Sequence, residues 1–280
     1  MNNIFSDTKE AFSLKSNFEL TRAYFLFKII GNSTVVKITT SITKFALKFN
    51  LPVTFLIKAT VFDHFCGGVS EEDCNPVINK LFKNNVHSVL DFSTEGFNSE
   101  YEFNECLKKK ISIIEFIKNK EEIPFAVFKP TCLGSTELFI KKSLGKKFSE
   151  NEELMWSRVI NRFEKVCKKA YENNIKILID AEEADVQKAI DDLAILMMRK
   201  FNLLKPIVFN TVQMYRKDRL AYLNELINNK SNDKVVFGLK LVRGAYMEKE
   251  RQLACERGIE SPICETKNDT DNNFNLGLDF

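Results

Sequence analysis

VVFGLKLVRGAYMEKER, residues 235–251, is the stretch from which the fold is read. Its opening is a continuous apolar run, the pattern of a strand with both faces buried in a parallel sheet. Lys240 interrupts that run and Arg243 closes it. A cation inside such a strand is costly unless something anionic or electron-rich meets it, so both ask for partners. Gly244 and Ala245 follow, where backbone can approach a ligand closely. Tyr246 then opens a charged helical run that stops at Gly258. The unit is strand, polar rim, helix.

Four more runs upstream repeat that unit: HSVLDFSTEG (87–96), PFAVFKPT (124–131), IKILIDAEE (175–183) and PIVFNTVQMY (206–215). Between them, residues 101–118, 152–171, 185–201 and 215–226 carry apolar side chains every three or four positions, the helical period. Ser149 followed by Glu152 forms a capping box for the longest helix. Strands alternating with helices of this length predict right-handed βαβ units and a parallel sheet. Each run ends in polar residues: Asp91 and Glu95, Lys129, Asp180 with Glu182 and Glu183, Asn210 with Thr211 and Gln213, then Lys240 and Arg243. In a (β/α)8 barrel this is the face on which an active site is assembled. A doubly wound sheet would place polar groups similarly, but the chain has no GxGxxG or GxxxxGK[ST] loop to cradle phosphates. The TIM-barrel type of α/β fold is the reading adopted.

Residues 1–70 read as an N-terminal helical segment and residues 71–280 as the barrel portion. Phe12, Leu14, Phe18, Leu20, Tyr24, Phe25 and Phe27 recur at helical spacing, a second helix covers 35–49, and PVTFLIKATVFDHF stops at Gly67-Gly68. The apolar surface of that last helix suits packing on a core better than lying at a membrane surface. The charge of +3 comes from 41 basic and 38 acidic residues, too balanced for a nucleic-acid partner without a local basic stripe. Seven cysteines with no CxxC pair, and only His64 and His87 beside them, predict reduced thiols and no metal site. Lysines 28, 37, 44, 48 and 58 interrupt every run before it reaches the ~18 apolar residues of a spanning helix. The N-terminus lacks the look of a signal or transit peptide.

LKLVRGAY followed by KER resembles the fifth-strand signature of the proline dehydrogenase family. FAVFKPT is similar to that family's second strand with its lysine, ILIDAEE to the third with its aspartate, and FNTVQMYRKD to the fourth with its glutamine. TVFDHFCGG resembles the pre-barrel helix, and the likeness to the monofunctional, FAD-dependent members runs through to residue 280. The resemblance implies oxidation of L-proline to Δ1-pyrroline-5-carboxylate, with hydride passing to flavin N5 and electrons on to a quinone. It further implies a cytoplasmic chain with peripheral association at the inner face of the cytoplasmic membrane. A closed barrel needs eight strands and five are counted, so a C-terminally truncated barrel is expected.

Lys129 and Asp180, on neighbouring strands, are expected to meet across the barrel mouth and, by the resemblance, to hold the substrate; a buried rim ion pair is the plainer reading. The resemblance sets Lys240 against the flavin near N5, where a cation stabilises growing negative charge. A snorkelling lysine is the alternative. By the same resemblance Gln213 contacts the flavin ring's amide edge, against a reading as an exposed helix-start residue. Arg243 and the Gly244 backbone are expected near its ribityl and phosphate groups, and Ala245 and Tyr246 beside the substrate ring. Asp91 and Glu95 read as helix caps or rim salt-bridge partners, and Glu182 and Glu183 as acids favoured at a helix N-terminus. Cys132 lacks an evident histidine partner for nucleophilic work. Two other readings stay open: a barrel lyase or aldolase with a Schiff base on Lys129 or Lys240, and an inactive barrel fragment.

Overall fold

The computed structural model describes residues 6–49, 51–92, 96–228 and 234–280. The chain forms two compact units, Met1–Val77 and Ile78–Phe280.

In the first unit, α1 (Asn17–Ile30) starts at a capping box in which the Glu19 N–H donates to Ser16 Oγ and the Ser16 N–H to the Glu19 carboxylate. Asn32 caps α2 (Ser33–Lys48) through the N–H groups of Thr34 and Val35. A third helical stretch, 54–65, widens into a π turn at Lys58–Phe62 and ends before Gly67-Gly68. His64 and Phe65 meet Phe27 edge-on at 5.4 and 6.1 Å. The aromatic side chains of these helices are otherwise largely in solvent, Phe18 at 77% and Phe55 at 82% exposure.

Helix α3 (Asn75–Phe82) runs into the second unit, whose five parallel strands lie in sequential order. They are β1 (Val89–Leu90), β2 (Phe125–Phe128), β3 (Lys176–Ile179), β4 (Val208–Gln213) and β5 (Gly238–Val242). Helices follow each strand: α4 (Glu100–Ile117), then α5 (Thr136–Ser143) with α6 (Glu150–Glu172), α7 (Ala184–Phe201), α8 (Arg219–Asn228), and α9 (Met247–Arg257) with α10 (Lys267–Leu278). Five strands, each beside its sequence neighbour, form the arc of a TIM barrel. Among the described residues β1 and β5 do not pair, and the arc stays open.

The core lies between β2–β4 and the helices behind them. Phe128 stacks edge-on against Phe163 at 5.2 Å, Phe139 against Trp156 at 5.3 Å, and Ile177, Ile179, Val208 and Met197 are sealed among them. Two expectations are corrected. First, β5 is not buried on both faces; past Gly238 its residues are only partly covered, because it is the end of the ladder. Second, α8 begins at Arg219 rather than Tyr215, because Met214 and Tyr215 still donate N–H bonds to the Val242 and Arg243 carbonyls alongside β5. Gly258 caps α9 with φ +64, as the sequence predicts. The seven cysteines are free thiols, and Cys132 is buried, its thiol pushed up by a bond with Cys106 and by burial.

Candidate active site

Side chains in register on parallel strands point the same way, so the pairing assigns the site residues to faces. Phe128 pairs with Ile179, Ile179 with Asn210, and Thr211 with Lys240. One step on, Lys129, Asp180, Thr211 and Lys240 form a row across four strands on one face. The row is closed by an ion pair: Lys240 Nζ donates to Asp180 Oδ1 at 2.6 Å, reaching from β5 past β4 to the end of β3. Its two side chains are 31% and 24% exposed, so solvent reaches the pair. Asp180 therefore meets Lys240 as well as standing beside Lys129, and its N–H donates to the Phe128 carbonyl at 3.0 Å. Thr211, between the paired charges, is buried with its Oγ1 unpartnered.

Asn210 belongs to the other face. Its amide donates to Asp191 of α7 and to the Tyr222 hydroxyl of α8, and Arg219 Nη1 reaches the same Asp191 at 2.7 Å. That cluster ties the helices to the sheet and takes no part in the row. Arg243 lies on this side as well, against α10: its Nε donates to Asp271 at 2.5 Å and its guanidinium covers Phe274 at 4.6 Å. The structure thus separates Arg243 from Lys240. Gly244 takes φ +138, and a Cβ there would run into the Tyr215 ring, so only glycine fits.

Gln213 is buried at the end of β4, not exposed at a helix start. Its Nε2 donates to the Glu182 carbonyl at 2.7 Å and its Oε1 accepts from the Ala245 N–H at 3.4 Å. Tyr246 lines a cavity of about 290 Å³ with Thr131, Glu182, Lys249 and Leu253. Asp91 forms the rim salt bridge, 2.9 Å from the buried Lys110 Nζ of α4. Glu95 lies outside the described residues. Glu183 does sit at the N-cap of α7, paired with Lys249. Glu182 does not: its carboxyl turns inward onto Thr131 and, through burial, is pushed up to about 7. Sequence reasoning missed it, although FKPT and DAEE place Thr131 two residues after Lys129 and Glu182 two after Asp180, the same-face spacing of an extended chain.

The profile of the family described as proline dehydrogenase matches residues 74–280. This chain belongs to the proline dehydrogenase family. Among curated relatives, it is 32% identical over 216 residues to the carbapenem antibiotics biosynthesis protein CarD of Pectobacterium carotovorum subsp. carotovorum, covering 77% of this chain and 56% of that one. It is 28% identical over 323 residues to the mitochondrial proline dehydrogenase 1 of Dictyostelium discoideum, covering 98% and 55%. This proline dehydrogenase-family chain therefore spans about half the length of those relatives. Its fold matches the crystal structure of proline utilization A from Bdellovibrio bacteriovorus inactivated by N-propargylglycine, with a TM-score of 0.67 at 20% identity, over 95% of this chain and 28% of that one.

Proposed function

We propose that the strand-end row binds L-proline beside FAD and oxidises it to Δ1-pyrroline-5-carboxylate, with electrons passed to a quinone. The observation that carries this reading is the Asp180–Lys240 pair, made just past the end of β3 by a lysine from the middle of β5, on the side where a barrel assembles its chemistry. A zwitterion matches a row with charges of both signs. In this reading Asp180 takes the secondary ammonium, Lys129 the carboxylate, and the Ala245–Tyr246 backbone and ring wall off the pyrroline carbon. The ammonium of Lys240, an oriented amide at Gln213 and the unpartnered Thr211 hydroxyl match the polar edge of an isoalloxazine. When bound, FAD would supply the two-electron acceptor for the hydride leaving the ring carbon beside nitrogen, after the ammonium has lost a proton so that the nitrogen lone pair can form the C=N bond. Lys240 contributes a positive charge where negative charge grows, and Asp180 orients the ammonium.

The quinone implies contact with a membrane surface, from the cytoplasmic side. Residues 20–62 support it: they hold Arg22, Lys28, Lys37, Lys44, Lys48 and Lys58 and no acid, with Tyr24, Phe25, Ile42, Phe45 and Phe55 exposed among them. No helix of the described residues is long and apolar enough to cross a membrane. The lyase reading fares worse, because the Lys240 ammonium is engaged with a carboxylate whereas a Schiff base needs a free amine. Proline-dependent dye reduction by the FAD-loaded chain is the test. Asp180→Asn and Lys240→Met should each lower kcat/KM about 100-fold. Full activity in both variants, or borohydride trapping of a substrate carbonyl on Lys240, would sink the reading.

A further inference from the structure

Beyond the ion-paired row, the buried side chains of Thr131, Glu182 and Gln213 and the backbone of the exposed Ala245 join the ends of four consecutive strands. The Thr131 N–H donates to Glu182 Oε1 at 2.9 Å and the Thr131 hydroxyl to Glu182 Oε2 at 2.6 Å. The Glu182 N–H donates to Gln187 Oε1 at 3.0 Å, and the Glu182 carbonyl accepts from Gln213 Nε2 at 2.7 Å. Gln213 Oε1 then accepts from the Ala245 N–H. The chain of bonds runs from the end of β2, through β3 and β4, to the loop after β5.

Within it, Glu182 uses every polar atom it has. Residues 180–183 carry no regular secondary structure, so the position of its carbonyl rests on these bonds. That carbonyl decides which way Gln213 faces: an acceptor on one side and the Ala245 N–H on the other leave the amide a single satisfied orientation. Ala245 in turn fixes the turn that begins at Gly244. The anchoring therefore passes from a side chain at 182 to a backbone amide 63 residues later (245 − 182).

We propose that Glu182 is a positioning residue: by clamping Thr131 it fixes the Gln213 amide and the Gly244–Ala245 backbone, the groups that face the flavin in the reading above. The proposal deepens that reading and rests on it only in its last clause. Glu182→Gln keeps an acceptor for the Thr131 N–H and an amide for its hydroxyl, whereas Glu182→Ala removes both. Thr131→Val removes one donor at constant shape.

Hydrogen exchange by the purified 280-residue chain, followed on the peptide containing Ala245, tests it directly, with FAD affinity by fluorescence quenching as the second readout. In Glu182→Ala that peptide should exchange about tenfold faster, the equivalent of one lost hydrogen bond. FAD should bind about tenfold more weakly. Thr131→Val should show a smaller change in the same direction, and Glu182→Gln should stay within about threefold of the parent. Should Glu182→Ala fail to fold, Thr131→Val carries the same test. Unchanged exchange at Ala245 in the folded variants overturns the proposal. Faster exchange with no FAD binding by the parent chain supports the positioning role and overturns the flavin reading alone.

Discussion

The middle of the sheet and its last strand are built to different standards. Strands β2 to β4 have neighbours on both sides and a helix layer behind them, and Phe128, Ile179, Val208 and Val212 are all sealed. Among the described residues strand β5 has one ladder partner, and Leu239 to Val242 are partly open. Yet β5 carries Lys240 and leads into the Gly244 turn. In the proposed reading, the packing that specifies the fold and the groups assigned to chemistry share strands but not residues: the fold rests on the middle, and the site reaches out to the edge.

Truncation is the harshest way to test that contrast. Phe128→Ala should cost about 4 kcal/mol, a sealed ring lost beside Phe163. Leu241→Ala, at the half-covered edge, should cost about 1–2 kcal/mol. Chemical denaturation of the two variants measures both, and equal losses would break the comparison.

A pH series sharpens it further, because Glu182 sits where the two regions meet. Its carboxyl is pushed from 4.5 up to about 7 by burial, so the folded chain holds a proton that the unfolded chain has released. That contribution is complete below pH 4.5 and is lost as pH rises to about 7. The stability of the parent relative to Glu182→Gln, which does not titrate there, should fall by about 3 kcal/mol between pH 4 and pH 8. A difference that is flat with pH would place the carboxyl in a more polar setting.

The smallest effect belongs to Arg243. It is exposed and its pair with Asp271 lies on the α10 side, so Arg243→Ala should change stability by less than about 0.5 kcal/mol and leave FAD affinity unchanged. A tenfold loss of affinity would bring Arg243 back to the cofactor, where the family resemblance expects it.

Much of this was legible from residues alone. Alternating apolar runs and helical periods gave five strands in order with helices between them, and Ser149 with Glu152 forms the anticipated capping box. The faces were less legible. Asn210 and Thr211 are adjacent polar residues at one strand end, and only the register sends one to the helices and the other to the row. Glu182 followed the rule that favours acids at helix starts, but a partner 51 residues away turned it inward. Asn202 carried no signal at all. Buried at the end of α7, it accepts from the Ile207 and Val208 N–H groups and donates to the Val208 and Val236 carbonyls, tying β4 to the approach of β5. Such contacts depend on which distant segments the fold brings together, and local pattern does not encode them.

The central claim is that the Asp180–Lys240 row is where flavin and proline meet. An absorbance titration of FAD with the purified chain, followed by anaerobic L-proline, tests it most directly, with Lys240→Met run alongside. The visible flavin band should sharpen on binding and bleach with proline in the parent chain, and in Lys240→Met it should bleach about 100-fold more slowly. A flavin spectrum that the chain leaves as free FAD, or that Lys240→Met shifts and bleaches as the parent does, would contradict it.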